Sequence, residues 1–461
     1  MIFLFPVSKM AGEYRALIRL GLPVLVTQLG IIAVSFADTM MVGAYGTKEL
    51  AASAFVNNIF LIAIVALIGF AGGMMPVVGA LFGKKLLYES GSALRAGLIL
   101  NISMALAITT LMGAIYFCIP YMGQPEELMP LIRPYYLIIL SSVIPNTIFC
   151  CGQNAANGMT DTAMPMWIMV SGNLLNIFGN YLLIFGHWGF PELGLEGAGI
   201  STAVSRFLMA LAILAGFSFR KRYRPLKDGF FKGMLPGRYR KVWNTSYPIM
   251  LQNGMECSLW ALGAVVCGWF GTAQLASYQI VNIIGQFGFM IYLSAGVAVS
   301  IRVANYTGRK DTEGIRSTTR AGLRIMLVMA TAASLLFIFA GENLLRLFTS
   351  DITVIEAGLP LILPLILYQY FDATQLNYGN ALRGTAYVKP LVTVSAVSYL
   401  LVGIGSLFLL GVWLVPGNVG IYYSFGITLL CAAVMLVYYY RRAVVKIRNE
   451  AEGNPEANAR F

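Results

Sequence analysis

YGTKELAASAFVNNI, residues 45–59, returns without a gap 225 positions later as FGTAQLASYQIVNII, residues 270–284. Gly46, Thr47, Leu50, Ala51, Val56, Asn57 and Ile59 recur as Gly271, Thr272, Leu275, Ala276, Val281, Asn282 and Ile284. The same offset relates Pro23 to Pro248, Gly43 to Gly268 and the GKK at 83–85 to the GRK at 308–310. NAANG at 154–158 resembles NALRG at 380–384, one residue out of that register. The chain is therefore read as two similar halves.

The 461 residues are 58% hydrophobic and only 11% charged, with a mean hydropathy of +0.73. A soluble globular chain carries about 25% charged residues, so an integral membrane protein is predicted. Apolar runs of about twenty residues recur along nearly the whole length. They match helices that cross the ~30 Å hydrocarbon core and are too long for barrel strands. The leading MIFLFPVSKM is too short for a secretory signal and has no small-residue cleavage site, so the first span is expected to be its own insertion signal.

Twelve spans are predicted, at about 17–43, 51–80, 93–118, 132–152, 164–186, 194–218, 243–268, 276–300, 317–340, 355–378, 390–411 and 420–440. An even number places both termini on one side. With the N-terminus in the cytoplasm, 28 of the 32 lysines and arginines fall on that side. Lys48, Arg133 and Arg346 fall opposite, and Arg206 lies within span six. This satisfies the positive-inside rule. The net charge of +12 then belongs to a cytoplasmic membrane face and its anionic lipids, not to nucleic acid.

The predicted fold is all-α, with twelve transmembrane helices in two six-helix lobes related by a parallel internal repeat. The N-lobe covers 1–218 and the C-lobe 243–445. A basic cytoplasmic linker, 219–242, carries nine charges from Arg220 to Lys241 and is read as the hinge; 446–461 is a cytoplasmic tail. Parallel repeats suit two bundles rocking about a central site, although a channel or membrane enzyme can also arise by duplication.

Of twenty acidic residues, three fall inside spans: Asp38, Glu256 and Asp372. A carboxylate at mid-bilayer costs about 2.5–3.5 kcal/mol on insertion scales, so each needs a reason. An ion pair within the bundle is one, but Arg206 is the sole basic residue expected there and cannot serve three acids. Function is the other. At 1.5 Å per residue, Glu256 lies about 20 Å into span seven, and Asp372 about 10–15 Å into span ten from the same side. One cavity can hold both.

Helical spacing puts Gln252, Asn253 and Trp260 on the face of Glu256, while Tyr368 and Gln375 flank Asp372. Span eight adds Gln279, Asn282 and Gln286. Carboxylates among neutral oxygens can bind a hard cation such as sodium. They can equally carry a proton, since burial beside a negative charge favours the neutral carboxyl. In the N-lobe, Asp38 is expected near Asn154, the stripe Asn173, Asn176 and Asn180, and Ser201, Thr202 and Ser205. Such groups serve a binding cavity or simple interhelical hydrogen bonding. Arg206 is expected to pair with an acid or to snorkel.

Pro248, Pro360 and Pro364 are expected to kink or start spans seven and ten. Cys118, Cys150, Cys151, Cys257, Cys267 and Cys431 form no CxxC pair and do not cluster with the lone His187, so they are read as packing residues. No GxxxxGK[ST] run is present, and no nucleotide is expected to drive the protein.

GLPVLVTQ (21–28), FADTMMVGAYG (36–46), YPIMLQNGMECSLW (247–260) and YQYFDATQ (368–375) resemble the multidrug and toxic compound extrusion (MATE) family over residues 10–445. The span-seven glutamate with the span-ten aspartate resembles the NorM-like branch. DinF-like members rely on aspartates in spans one and five, where this chain has Asp38 but Asn180. The resemblance implies efflux of organic cations against an inward sodium or proton gradient. Residue by residue, it assigns Glu256 and Asp372 to the coupling ion, Tyr368 to a neighbouring contact and Asp38 to the N-lobe acid.

The expected function is a monomeric inner-membrane antiporter with both termini cytoplasmic, no cofactor beyond Na+ or H+ as coupling ion, and small-molecule organic cations and membrane lipid as partners. Asp38, Gln252, Asn253, Trp260, Asn282, Gln286, Gln375, Asn154, Asn176, Asn180 and Thr202 are the candidate cavity residues. A flippase for lipid-linked saccharides, from the same wider superfamily, should line its cavity with several basic residues. A membrane-embedded enzyme should show a His/Glu metal cluster or a nucleophile with a base. Three acids and one arginine favour neither.

Overall fold

The structure, a computed structural model, describes residues 7–232 and 235–452. The first six residues and most of the expected tail lie outside them. The regular structure of the described residues is helical, without strands. The first six spans are α1 (Val7–Tyr45), α2 (Thr47–Gly72) with α3 (Met74–Gly83), α4 (Leu87–Cys118), α5 (Met129–Ser141) with α6 (Val143–Gly158), α7 (Ala163–Phe185) and α8 (Gly194–Phe219). After a short α9 (Arg224–Phe231) come α10 (Arg238–Gly268), α11 (Thr272–Arg309), α12 (Thr312–Arg346) and α13 (Ile352–Gly358) with α14 (Ile362–Gly384). The last two spans are α15 (Lys389–Ser395) with α16 (Ile404–Phe408), joined and followed by π-helical turns, and α17 (Asn418–Ala451).

Eleven of these spans are apolar enough for a membrane crossing by composition alone. The twelfth is α10, whose 31 residues include Arg238, Arg240, Lys241, Gln252, Asn253 and Glu256. At 1.5 Å per residue it reaches about 46 Å, ample for a ~30 Å hydrocarbon core. Polar side chains, not insufficient length, separate it from the rest.

The chain divides into two compact units: Val26–Met250 (the N-unit), and residues up to Leu25 with those from Leu251 onward (the C-unit). The divisions fall inside α1 and α10. Those helices carry Pro23 and Pro248 in their interiors, where a missing backbone donor weakens the helical ladder.

In the N-unit, α3 and α4 pack on α6, and α7 on α8. Phe70, Met74, Tyr136, Phe149, Cys151 and Ile213 are fully buried, and Phe60 is almost so. The span of α2 and α3 breaks at Gly73, where a Cβ would stand 2.3 Å from Ser246 Oγ and 2.6 Å from its Cα. Only a glycine admits α10 so close.

Within 219–242, the linker read from sequence as a hinge, several described residues are tied to the N-unit. Tyr223 donates to Asp161 at 2.5 Å, Arg222 donates to the Met159 carbonyl at 3.0 Å, and Arg238 pairs with Glu89. The helix α9 lies on α4 through two glycines. A Cβ on Gly229 would sit 1.8 Å from the Tyr88 carbonyl oxygen, and one on Gly91 2.0 Å from that of Leu226. Burying Tyr223 beside the Asp161 carboxylate raises its phenol well above the ordinary value, so it stays a donor. Gly229→Val is expected to cost about 1–3 kcal/mol, as overpacking does, read as a lower melting temperature of the purified protein. An unchanged melt would mean that α9 is not held there in solution.

In the C-unit, α14 packs against α11, α12 and α17. Tyr278, Leu361, Tyr399 and Phe425 are among its buried core. Asp311 caps α12, accepting from Gly314 N at 2.8 Å. At one end of this unit Glu13 is buried in a cluster that the sequence reading did not foresee. It accepts from Arg302 at 2.5 and 3.2 Å, from the Tyr306 hydroxyl at 2.6 Å and from the Thr318 hydroxyl at 2.8 Å. Helix α1 begins ten residues before the expected span and α11 ends nine after it, which converts presumed loop charges into helix-borne partners.

Candidate functional site

Glu256 and Asp372 come together within the C-unit, close enough that the field of one acts on the other. Asp372 is 1% exposed on α14; Glu256, on α10, is half-buried. Four turns of helix organise their surroundings. Gln252 and Asn253, one turn before Glu256, accept from Arg383 at 2.9 Å each. Gln375, one turn after Asp372, donates to the Tyr399 hydroxyl at 2.8 Å. Tyr399 also faces Glu256. Trp260 stands edge-on to Tyr368, ring centroids 5.6 Å apart, and 4.3 Å from Phe425.

Arg383 corrects the expectation that Arg206 is the only basic residue near the intramembrane acids. The expected span ended at 378, but α14 continues to Gly384 and carries Arg383 in its last turn. Its charge acts on Glu256, so of the pair it is Asp372 that lacks a compensating neighbour. Tyr399 was also missed. It lies in an apolar run and marks itself only through the π-helical turn Ala396–Gly403, a distortion frequent at functional sites.

Asp372 Oδ2, Gln375 Oε1 and the Tyr292 hydroxyl are buried without hydrogen-bond partners. Tyr292 lies in the field of Asp372. In a low-dielectric interior an unpartnered polar atom is costly, so these oxygens stand out from the satisfied groups around them. Of the remaining candidates, Asn282 is tied to α17 by the Tyr422 hydroxyl at 2.8 Å, whereas Gln279 and Gln286 are exposed.

The N-unit holds a separate polar cluster. Asn180, fully buried on α7, donates to Asp38 Oδ1 at 2.5 Å. Asn176, in the amide orientation that satisfies both its groups, donates to the same oxygen at 3.0 Å and accepts from Thr202 N and Oγ1 at 3.2 Å. Asn154 instead donates to its own helix, at the Cys150 carbonyl. Arg206 donates at 2.8 Å to Ser142 Oγ, at the break between α5 and α6, and makes no ion pair with Asp38 within 4 Å, although its charge acts on that acid. Asn180→Leu is expected to cost about 1.5–3 kcal/mol, the range for hydrogen bonds to charged groups, measured by thermal unfolding in detergent. An unchanged melt would dismiss this bond as a structural element.

A sequence model of the MatE family matches residues 23–182 and 248–409, segments that begin 225 positions apart, the offset of the internal repeat. The chain belongs to the MatE family. Multidrug resistance protein NorM of Vibrio cholerae serotype O1 is 29% identical over 431 residues, covering 92% of this chain and 94% of that one. The protein of that name in Photobacterium profundum is 27% identical over 435 residues, covering 93% and 95%.

Among solved structures, the Vibrio cholerae MATE transporter VcmN in its bent form aligns with a TM-score of 0.83 at 17% identity, over 95% of this chain and 99% of that one. The eukaryotic MATE transporter AtDTX14 aligns with a TM-score of 0.83 at 17% identity, over 96% and 99%. The all-helical, twelve-span fold is that of these transporters. As a MatE protein the chain is a multi-pass membrane transporter and not an enzyme.

Proposed function

We propose that this MatE transporter is a multidrug antiporter that exports lipophilic organic cations across the inner membrane in exchange for Na+ or H+, with both termini cytoplasmic. The observation that carries this reading is Asp372, fully buried with an unpartnered carboxylate oxygen beside the half-compensated Glu256. The names of the NorM relatives support the cargo class.

A cationic drug and a coupling cation are alternative neutralisers of the same acid. Binding of either discharges it, so each weakens the other, and exchange follows from differential affinity between two conformations. Asp372 supplies the charge, Gln375 and Tyr292 supply neutral oxygens suited to a hard cation, and the Trp260 and Tyr368 rings offer faces for an organic cation. Arg383 holds the Glu256 helix turn through Gln252 and Asn253. One-for-one exchange of monovalent cations is electroneutral and is driven by the ion gradient, while each net charge moved inward adds about 2.3 kcal/mol per 100 mV of membrane potential.

The test is dye export by purified protein in liposomes under an imposed Na+ or pH gradient. Ethidium movement driven by one gradient supports exchange and names the ion. Movement indifferent to both gradients would overturn coupling, and no dye movement at all would shift attention to lipid-linked cargo.

A further inference from the structure

Outside the acid-bearing sites, the N-unit carries a groove of about 350 Å³ on α7 and α8. Its walls include Met164, Trp167, Ile168, Leu175 and Met209, all apolar, and Arg220 closes one end. Trp167, Leu175 and Leu208 are substantially exposed there. From Met164 to Leu175 the groove follows eleven residues of α7, about 16 Å at 1.5 Å per residue, close to the ~15 Å depth of one leaflet's hydrocarbon.

The closed end is basic. Arg220 has a half-exposed side chain (54%) and stands 3.6 Å from the buried Asp161, which Tyr223 already occupies with a hydrogen bond. Exposed Lys221 and Arg222 follow, and Arg222 spends one donor on the Met159 carbonyl. A guanidinium has five donors, and one contact with Asp161 leaves several of them for another acceptor.

We infer that the α7–α8 groove is a site for one anionic phospholipid, its acyl chain along Trp167 and Leu175 and its phosphate at Arg220. The groove has the length of one leaflet, its lining is apolar where the chain would lie except for Ser171, and its charge sits at the end where the headgroup would be. An organic cation, the cargo proposed above, would meet Arg220 as a like charge. The inference does not depend on that cargo.

Native mass spectrometry of the full-length protein, titrated with phosphatidylglycerol and with phosphatidylcholine of the same chains, tests it. Wild type is expected to bind phosphatidylglycerol about fivefold more tightly, the effect of about one basic residue near an anionic surface. Arg220→Gln should abolish that preference and Arg220→Lys should keep it. Ala212 also lines the groove; Ala212→Phe, which fills it, should weaken both lipids, and inorganic phosphate alone should not compete. Equal binding of the two lipids by wild type, or a preference that survives Arg220→Gln, overturns the inference. Competition by inorganic phosphate also overturns it, in favour of a simple anion site. Should Ala212→Phe fail to fold, the two Arg220 variants, at a half-exposed position, still decide.

Discussion

Asp372→Asn is expected to bring ethidium efflux from energised cells down to that of cells without the transporter, at matched protein levels. Asparagine has nearly the shape of aspartate, and the site is 1% exposed, so the substitution removes a charge without opening a cavity. At an effective dielectric of about 20, a cation 4 Å from a carboxylate gains about 4 kcal/mol. Losing even a third of that lowers occupancy about tenfold. The fold should survive, because a buried carboxylate with an unpartnered oxygen is itself unfavourable. Glu256→Gln should be milder, since Arg383 keeps its bonds to Gln252 and Asn253. If Asp372→Asn pumps like wild type, the carboxylate is structural and the exchange mechanism fails.

Arg302→Met should be the most destabilising single change described, by about 3–5 kcal/mol, the range for stranding one partner of a buried ion pair. Glu13 is 7% exposed and takes two bonds from Arg302. Without them its charge rests on the Tyr306 and Thr318 hydroxyls alone. The expected result is a strong drop in melting temperature and in membrane yield. Glu13→Gln combined with Arg302→Met should recover much of the loss, because no uncompensated charge remains. Additive losses in the double variant would show that the two side chains do not act as a pair.

The number and kind of spans, and the duplication, were legible in the sequence because both rest on patterns that need no partner. A twenty-residue apolar run demands helix in a bilayer, and a motif repeated at fixed distance demands similar surroundings. The isolation of Asp38, Glu256 and Asp372 was legible for the same reason: the cost of a membrane carboxylate follows from its position alone.

Helix ends were less legible. Charged residues at the membrane edge read as loop whether or not the helix continues through them. Glu13 and Arg302 therefore read as loop charges, and nothing local marks Arg383 as a neighbour of Glu256. The linker is the same case at larger scale. Nine basic residues read as a hinge, and no local pattern announces the two glycines through which α9 approaches α4 to backbone contact.

The sequence by itself determined that this is a twelve-span duplicated membrane protein with three costly acids, because burial in lipid acts on each segment separately. Only the tertiary structure decided which acid keeps its charge uncompensated. Arg383 reaches Glu256's helix turn, Asn180 and Asn176 engage Asp38, and Asp372 retains a bare oxygen. Those pairings join helices remote in sequence, and their strength depends on distances of a few ångströms that no one segment encodes.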